Sequence, residues 1–210
     1  MLKGLPKGIS TMSEQLILAS ASEIRAQLLR NAGVDCKVIP ARVDEDSIKM
    51  ALEAEKALPR DIADTLAEMK ARRIAEKGHG SLVLGCDQVL SFKGKVFSKP
   101  QTAEDAKQQL QTLRGETHQL LSAAVLYEDL KPVWRHVGVA RLAMRDFSDD
   151  YLDDYLDRNW DSIRWSVGGY KIEEEGIRLF RMVQGDTFVI QGLPLLELLS
   201  YLTLRGTLPT

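Results

Sequence analysis

The chain has 210 residues, of which 44% are hydrophobic and 28% charged, a composition typical of a globular protein with a full core. Its 28 basic and 30 acidic residues nearly cancel, which argues against an electrostatic surface for nucleic acid or for a membrane. The two cysteines, Cys36 and Cys86, are too few for a disulfide framework, and no run approaches the roughly 18 apolar residues of a membrane span, so we expect a cytoplasmic protein.

The first fifteen residues differ from the rest of the chain. They contain lysines but lack the apolar core of a secretory signal, so residues 1–15 are predicted to be a loose N-terminal extension. The remaining chain, residues 16–210, has no internal repeat, low-complexity tract or linker. Its length and pattern suit one α/β domain, with two lobes around a cleft.

The first structured stretch is predicted to be a buried strand followed by a helix. Residues 16–19 form a short apolar run and apolar residues then recur at helical spacing, so the strand and the helix meet between Ser20 and Ser22. The free N–H groups of a helix start can hold an anion, and Arg25 in the first turn adds a planar fork for phosphate oxygens. The Ser20-x-x-Glu23 spacing also fits a capping box, and local sequence alone favours the cap.

A short strand and an acidic segment come next. Residues 36–40 read as a strand that ends at Pro40, and Asp44, Glu45 and Asp46 then stand in a row in a predicted loop. Such clusters are usually solvated turns, which is the favoured interpretation when this one is taken alone. The alternative is a site for a metal ion or its water, because hard divalent cations prefer carboxylate oxygens.

The middle of the chain contains a carboxylate in an apolar strand. Residues 61–77 have the spacing of a helix that carries Lys70, which alone would be solvated charge. The strand predicted at residues 82–90 has Asp87 within it, and burial of an unpaired carboxylate costs several kcal/mol. Asp87 must therefore be paired, metal-bound or at the exposed mouth of the strand. Residues 96–100 are predicted to return from a hairpin turn at Gly94, and Lys99 near their end is placed to reach the same mouth.

The second half of the chain alternates predicted helices and hairpins. In order, they are a helix over 102–113, a hairpin of strands over 118–127 and 133–144, a helix over 149–160, a glycine-flanked loop over 166–176, a second hairpin over 177–182 and 187–190, and a helix over 195–204. His118 and His136 have no partner at metal-ligand spacing and are interpreted as surface or edge-strand residues. The apolar last helix is compatible with a homodimer.

Seven short motifs, taken together, resemble the Maf family of nucleotide pyrophosphatases over residues 16–204. In chain order they are Leu18-Ala19-Ser20-Ala21-Ser22-x-x-Arg25, Val43-Asp44-Glu45, Lys70-Ala71, Gly85-Cys86-Asp87-Gln88, Lys99-Pro100, Gly115-Glu116-Thr117-His118 and Gly192-Leu193-Pro194. The resemblance implies a cytosolic enzyme that splits a nucleoside triphosphate into the monophosphate and pyrophosphate with a divalent cation, Mg²⁺ or Mn²⁺. It also implies a fold similar to inosine triphosphate pyrophosphatases, a long mixed twisted sheet flanked by helices with two lobes around a central cleft.

The resemblance further assigns roles to particular residues. Asp87 matches the family's catalytic aspartate, which is proposed to activate the attacking water, and Glu45 matches an acid near the metal, so both are candidate metal ligands. The residues that match phosphate contacts are Ser20, Ser22, Arg25, Lys70 and Lys99. These roles suit phosphoryl transfer, which needs positioned positive charge and an oriented nucleophile. The expected partner is therefore a small nucleoside triphosphate.

Three positions separate two branches of the family by substrate. The branch that acts on dTTP and UTP typically carries Arg, Thr and Gln there, and the branch that acts on 7-methyl-GTP carries Trp, Gln and Glu. This chain has Ile24, Gln88 and Glu173, so two of the three resemble the 7-methyl-GTP branch. Ile24 departs from both, because it cannot stack on a cationic purine as Trp does, and Trp160 or Trp165 is a candidate replacement.

The predicted activity is thus hydrolysis of 7-methyl-GTP or a related modified purine nucleotide. One alternative is the dTTP and UTP activity of the same family. Another is a catalytically weak nucleotide-binding regulator of cell division, which would bind a nucleotide without releasing pyrophosphate.

Overall fold

A computed structural model describes residues 15–78 and 82–209. The predicted N-terminal extension, apart from its last residue, lies outside these ranges. The strands in them are β1 (Leu16–Leu18), β2 (Cys36–Val38), β3 (Leu82–Phe92), β4 (Lys95–Phe97), β5 (Thr117–Glu128), β6 (Lys131–Met144) and β7 (Phe180–Gln184). The helices are α1 (Glu23–Asn31), α2 (Glu45–Ala54), α3 (Pro59–Ala75), α4 (Ala103–Leu113), α5 (Asp149–Ile163), α6 (Thr187–Ile190) and α7 (Leu195–Leu204), with a 3₁₀ helix at Glu175–Leu179. Across the described ranges, no helix is both long and apolar enough to cross a membrane.

The seven strands form one mixed sheet. The order is β2-β1-β3-β5-β6-β7, and β4 pairs with β3 outside this path. β1 runs parallel to β2 and β3, whereas the remaining pairs are antiparallel. The α/β class and the mixed sheet flanked by helices, both predicted from the sequence, are confirmed.

Strand β3 is paired incompletely along one edge. β5 covers the other edge from Val83 to Ser91. On the remaining edge β1 pairs only with Leu82–Leu84, and β4 pairs only with Leu90–Phe92. Within the described part of the chain, residues 85–89 therefore have a strand on one side only, and the sheet has an opening beside Asp87.

Apolar side chains pack on both faces of the sheet in three clusters. One lies between α3 and the face of β3 that carries Val83 and Val89. A second packs α1 and α7 against the opposite face, at Leu84, and a third packs α4 and α5 against Leu90, farther along β3. Because neighbouring strand residues project to opposite faces, Asp87 faces α3 and the next residue faces away from it.

The predicted acidic loop at Asp44, Glu45 and Asp46 is wrong, because these residues begin a helix. Asp44 is the N-cap of α2, and its Oδ1 accepts a hydrogen bond of 3.1 Å from the N–H of Ser47. The carboxylates of Glu45 and Asp46 then suit the positive end of the helix dipole. The available signal was the helical spacing of Ile48, Ala51 and Leu52, two of which, Ile48 and Leu52, pack against the cluster between α3 and β3.

The second predicted hairpin is also wrong. Residues 175–179 form a 3₁₀ helix, and residues 187–190 form α6, whose N-cap Asp186 accepts from the N–H of Phe188 at 3.1 Å. Only Phe180–Gln184 is a strand, and it pairs with β6 instead. A four-residue helix is too short to show a period, so its apolar residues resemble a strand. The other predicted helices and the first hairpin are confirmed within about three residues at their ends.

Candidate active site

Arg25 lies in the opening of the sheet. Its Nη1 donates hydrogen bonds to the carbonyl of Cys86 at 3.0 Å and to Oγ of Ser20 at 3.1 Å, and its Nε donates to the carbonyl of Gly192 at 2.8 Å. The Cys86 carbonyl belongs to the part of β3 that lacks a neighbouring strand, so Arg25 satisfies a backbone acceptor that would otherwise be unpaired. Nη2 makes no hydrogen bond with another described residue and remains available for an anion.

The junction between β1 and α1 differs from the predicted capping box. The N-cap of α1 is Ser22, whose side chain makes no capping hydrogen bond. Ser20 Oγ instead accepts from the N–H of Ser22 at 3.2 Å and from Arg25, while Glu23 pairs with Arg30 on the surface. The capping interpretation is therefore wrong, and the start of α1 lies beside Arg25 without a side-chain cap.

Lys70 joins two carboxylates beside the opening. Its Nζ lies 2.6 Å from Oδ1 of Asp87 and 2.7 Å from Oε1 of Glu45. Lys70 and Asp87 are only 7% and 4% exposed, and such burial is tolerable because the charges are paired. Oδ2 of Asp87 is buried without a hydrogen-bond partner among the described residues. One carboxylate oxygen is thus left for a ligand, a metal ion or a water.

The charges around Glu45 form one electrostatic group. Burial raises the pKa of Glu45, but the ammonium groups of Lys70, Lys99 and Lys49 outweigh this, so its pKa lies below the usual value and it is ionised at neutral pH. Desolvation lowers the pKa of Lys99, and the cations Lys70 and Arg25 add to that effect, although Glu45 opposes it. Lys99 is therefore near enough to Glu45, Lys70 and Arg25 to interact with them electrostatically.

Glu45 and Asp87 are the candidate metal ligands. No group of three or more His, Cys, Asp or Glu side chains suited to a metal occurs in residues 15–78 and 82–209. Mg²⁺ and Mn²⁺ are usually held by one or two carboxylates together with substrate phosphates and waters. The pair of carboxylates, with the unpartnered Oδ2 of Asp87, fits an ion of this kind whose coordination the substrate completes.

Gln88 faces the opposite side of β3 from Asp87. Its Nε2 donates to Oγ of Ser122 at 2.9 Å and to the carbonyls of Val189 and Ile190 at 3.1 and 2.9 Å. Ser122 in turn donates to the Val189 carbonyl at 2.6 Å. Because both N–H groups of the carboxamide are committed to α6 and β5, Oε1 is the atom left to contact a ligand.

The three consecutive glutamates divide into two roles. Glu174 accepts from Oγ of Ser162 at 2.6 Å, and Glu175 accepts from Arg158 at 2.8 Å, so both hold the segment against α5. Glu173 is exposed and makes no hydrogen bond or ion pair with any described residue. No hydrogen bond connects Glu173 with Gln88 among the described residues. The carboxylate of Glu173 is exposed and available to a ligand.

The aromatic candidates for base stacking lie near the same segment. The Arg164 guanidinium lies 5.6 Å from the ring centre of Trp160 and 5.0 Å from that of Trp165. Trp160 packs against the cluster of α4 and α5, whereas Trp165 is 69% exposed. Ile24 is half-buried on α1. Trp165 thus has the more accessible ring of the two.

Two polar residues at the opening were not predicted. Ser122 holds Gln88, and the available signal was a hydroxyl in the middle of the apolar stretch that became β5. Lys49, four residues after Glu45, is 9% exposed and faces it from the same helix. Residues four positions apart are neighbours on a helix but not in a loop, so the predicted loop gave no reason to pair Lys49 with Glu45.

The prediction that His118 is a surface residue is wrong. His118 is 1% exposed on β5, and its Nε2 lies 2.7 Å from the hydroxyl of Tyr170. Burial lowers the pKa of His118 to about 4, so the ring is neutral at physiological pH. His136 is half-buried, 3.9 Å from Glu197, and fits the prediction better.

The free energy of unfolding is expected to fall as the pH drops from about 6.5 to about 4. The pKa of His118 is depressed to about 4 in the folded state, so within this range the unfolded chain binds a proton that the native chain does not. The loss should approach about 3 kcal/mol at pH 4. Urea denaturation at pH 7 and pH 4.5 should show a larger difference for the wild type than for His118→Gln. Equal pH dependence in the two proteins would contradict this prediction.

Comparison with known proteins agrees with this geometry. The family model described as "Maf-like protein" matches residues 15–204. The chain is 64% identical over 198 residues to a protein of Roseobacter denitrificans named nucleoside triphosphate pyrophosphatase, which covers 94% of this chain and 100% of that protein. A protein of Ruegeria pomeroyi with the same name is 60% identical over 199 residues, covering 95% of this chain and all of that one. A protein of Mesorhizobium japonicum named 7-methyl-GTP pyrophosphatase is 46% identical over 197 residues, covering 94% of this chain and 99% of that protein.

The match extends over the whole candidate active site, from Ser20 in the first junction to Gly192 before the last helix. Each of these relatives also aligns over almost its whole length. The chain belongs to the Maf family.

Proposed function

We propose that this chain is a nucleoside triphosphate pyrophosphatase that adds water across the bond between the α- and β-phosphates. The products are a nucleoside monophosphate and pyrophosphate. The observation that carries this proposal is Asp87, buried with one unpartnered oxygen and surrounded by Lys70, Lys99 and Arg25. Proteins at 60 and 64% identity bear the name of this activity.

The cations bind and orient the triphosphate. Nη2 of Arg25 offers two donors in a fixed plane, because its other nitrogens are held by Ser20 and by two carbonyls. The start of α1 at Ser22 adds backbone N–H groups and the positive end of the helix dipole. Lys99, and the third N–H of Lys70, reach the same opening. These groups hold the phosphate chain in line with the attacking water.

Asp87 holds the water and accepts its proton. Oδ2 is the acceptor, because Oδ1 is already bound by Lys70, which also fixes the plane of the carboxylate. Glu45, kept ionised by the neighbouring lysines, would share with Asp87 the binding of Mg²⁺ or Mn²⁺. When bound, such an ion neutralises phosphate charge and lowers the pKa of a coordinated water.

We further propose a preference for 7-methyl-GTP. A guanine edge presents the N1–H and the amino group as donors, and this chain offers two acceptors, Oε1 of Gln88 and the free carboxylate of Glu173. Thymine and uracil present a single N–H donor and match two acceptors less well. The relative at 46% identity bears the 7-methyl-GTP name, which supports this choice.

The test is release of pyrophosphate from a panel of 7-methyl-GTP, GTP, dTTP, UTP, CTP and ATP, with Mg²⁺ or Mn²⁺ and with a chelator. We expect 7-methyl-GTP to give the highest kcat/KM, and Glu173→Gln to reduce that preference by about tenfold. Preference for dTTP or UTP would place the chain in the other branch. Tight nucleotide binding without turnover would support the regulatory alternative instead.

Replacing Gly192 with Ala is expected to raise the KM for the nucleotide by about tenfold. Gly192 has a φ of +97°, and a Cβ there would lie 3.1 Å from both Nε and Nη2 of Arg25. The matched control is Gly206→Ala, where φ is +82° but no atom of the described residues lies within 4 Å of the new Cβ. Both variants should lose some stability to backbone strain, and only Gly192→Ala should change KM. An equal change in KM for both would rule out this role of Gly192.

Two remaining proposals concern the cellular location and the oligomeric state of the enzyme. Cys36 and Cys86 are free thiols, which is compatible with the cytoplasmic location that we propose. On α7, Leu196 and Leu204 are 53% and 87% exposed, which is compatible with a homodimer. Sedimentation of the wild type beside a Leu204→Glu variant would test the second proposal.

A further inference from the structure

His118 and Tyr170 form a polar pair inside the hydrophobic cluster of α4 and α5. The Nε2 of His118 and the hydroxyl of Tyr170 are 2.7 Å apart, and the two residues are 1% and 4% exposed. The rings of Tyr170 and Phe180 meet edge-on with centres 4.8 Å apart. The pair joins the start of β5 to the segment at residues 166–174, which is far from β5 in sequence.

The His118–Tyr170 pair stabilises the fold less than an apolar pair of the same shape would. A neutral imidazole has one donor and one acceptor, and Nδ1 of His118 is buried with no partner among the described residues. An unsatisfied buried nitrogen lowers stability, whereas two apolar side chains of the same shape would pack without that loss. No step of the proposed reaction uses His118. The hydrogen bond to Tyr170 is therefore what this buried histidine contributes.

The segment that Tyr170 anchors lies on β3 close to the opening. A Cβ at Gly168 would come within 2.6 Å of Cδ1 of Leu90, which is three residues beyond Asp87. The hydroxyl of Tyr155 donates to the carbonyl of Gly169 at 3.3 Å. Directly after these contacts the chain emerges to the surface at Glu173, the free carboxylate that the proposed function assigns to the base.

We propose that His118 is a positioning residue that selects the nucleotide base through Tyr170. The hydrogen bond fixes the backbone of residues 166–174 on β3, and this sets where the Glu173 carboxylate meets the base. His118 touches neither the phosphates nor Asp87, so its effect falls on binding of the base and not on the chemical step. This inference rests on the proposed function. It identifies the hydrogen bond between His118 and Tyr170 as the contact on which the base preference depends.

The experiment compares Tyr170→Phe, His118→Asn and His118→Gln in the full chain. A Gln side chain places its amide nitrogen near the position of Nε2 and keeps the bond to Tyr170, whereas Asn is too short to reach it. The matched control is Tyr127→Phe, since Tyr127 is equally buried and donates to Glu68 at 2.7 Å on the α3 side of the sheet. Three quantities are measured: kcat and KM for 7-methyl-GTP and dTTP, and amide hydrogen exchange over residues 166–174.

We expect Tyr170→Phe and His118→Asn to raise the KM for 7-methyl-GTP and to lower its preference over dTTP, each by about tenfold, with kcat changed by less than about twofold. Exchange over residues 166–174 should accelerate in the same two variants. His118→Gln should stay close to the wild type, and Tyr127→Phe should lose stability without any change in base preference or in exchange of that segment.

Unchanged KM and unchanged exchange in Tyr170→Phe would overturn the inference, and so would an equal loss of preference in Tyr127→Phe. Failure of the proposed function has a different signature, because the wild type would then hydrolyse no nucleotide of the panel. In that case exchange alone decides: faster exchange confined to residues 166–174 in Tyr170→Phe and His118→Asn upholds the anchoring, and unchanged exchange overturns it.

Discussion

Asp87→Asn is expected to reduce kcat for nucleotide hydrolysis by about 10³-fold or more while the protein remains folded. The amide has nearly the same shape as the carboxylate, so Lys70 keeps one partner there and its second partner in Glu45. An amide cannot accept a proton from water, and it is a poor ligand for a divalent cation beside the carboxylate it replaces. The measurement is pyrophosphate release under saturating nucleotide, with circular dichroism to check the fold.

The control for this variant is Asp46→Asn. Asp46 is the neighbour of Glu45 on α2, it is exposed, and it makes no hydrogen bond or ion pair with other described residues. This substitution removes the same charge at a short distance from the opening, so it isolates the position of Asp87 from a general change in electrostatic potential. A rate for Asp87→Asn close to that of Asp46→Asn would show that the catalytic assignment is wrong.

Gly85→Ala is expected to lower the free energy of unfolding by about 3 kcal/mol or more. A Cβ at Gly85 would lie 2.1 Å from the carbonyl oxygen of Ala67 and 2.5 Å from the backbone nitrogen of Ala71. These atoms belong to the backbone of α3, so no side-chain rotation relieves the contact, and α3 would have to move away from the sheet. Lys70 lies on that helix, and its ion pair with Asp87 would lengthen.

Gly78→Ala provides the comparison, because no atom in residues 15–78 and 82–209 lies within 4 Å of a Cβ at that position and its φ is not positive. Urea denaturation should give a stability close to the wild type for Gly78→Ala and a much lower midpoint for Gly85→Ala. In any Gly85→Ala protein that folds, kcat should fall as well. Comparable midpoints for the two variants would show that α3 adjusts freely, against this prediction.

These contacts explain why Gly85, Asp87 and Gln88 follow one another in one strand. Gly85 admits α3 and with it Lys70, Asp87 then meets that lysine on the same face, and Gln88 turns to the opposite face toward α6. The residue that we propose to activate water, Asp87, and the residue that we propose to contact the base, Gln88, are therefore adjacent in sequence and lie on the two faces of one sheet. The geometry comes from the two-residue period of a strand.

The sequence alone determined the elements whose signals are local. The apolar run at residues 16–19 and the serines after it predicted the junction that carries Ser20, because a strand and a helix differ in period over a few residues. Asp87 was singled out because a lone carboxylate in an apolar strand has a high cost of burial, and its pairing with Lys70 agrees with that reasoning. The helix predicted over 102–113 has Thr102 as its N-cap, which forms a capping box with Asp105.

Only the tertiary structure decided which distant residues meet. Arg25 is fixed by the carbonyl of Gly192, 167 positions away, and the same guanidinium donates to Oγ of Ser20, which does not cap the helix. His118 is buried because Tyr170 covers it, and residues 187–190 form a helix where a strand was expected. A local sequence pattern shows how apolar and polar residues alternate along a segment. The burial of those residues and their hydrogen-bond partners depend on the elements that pack against the segment. Those elements come from remote parts of the chain, and their positions are set by the whole sheet.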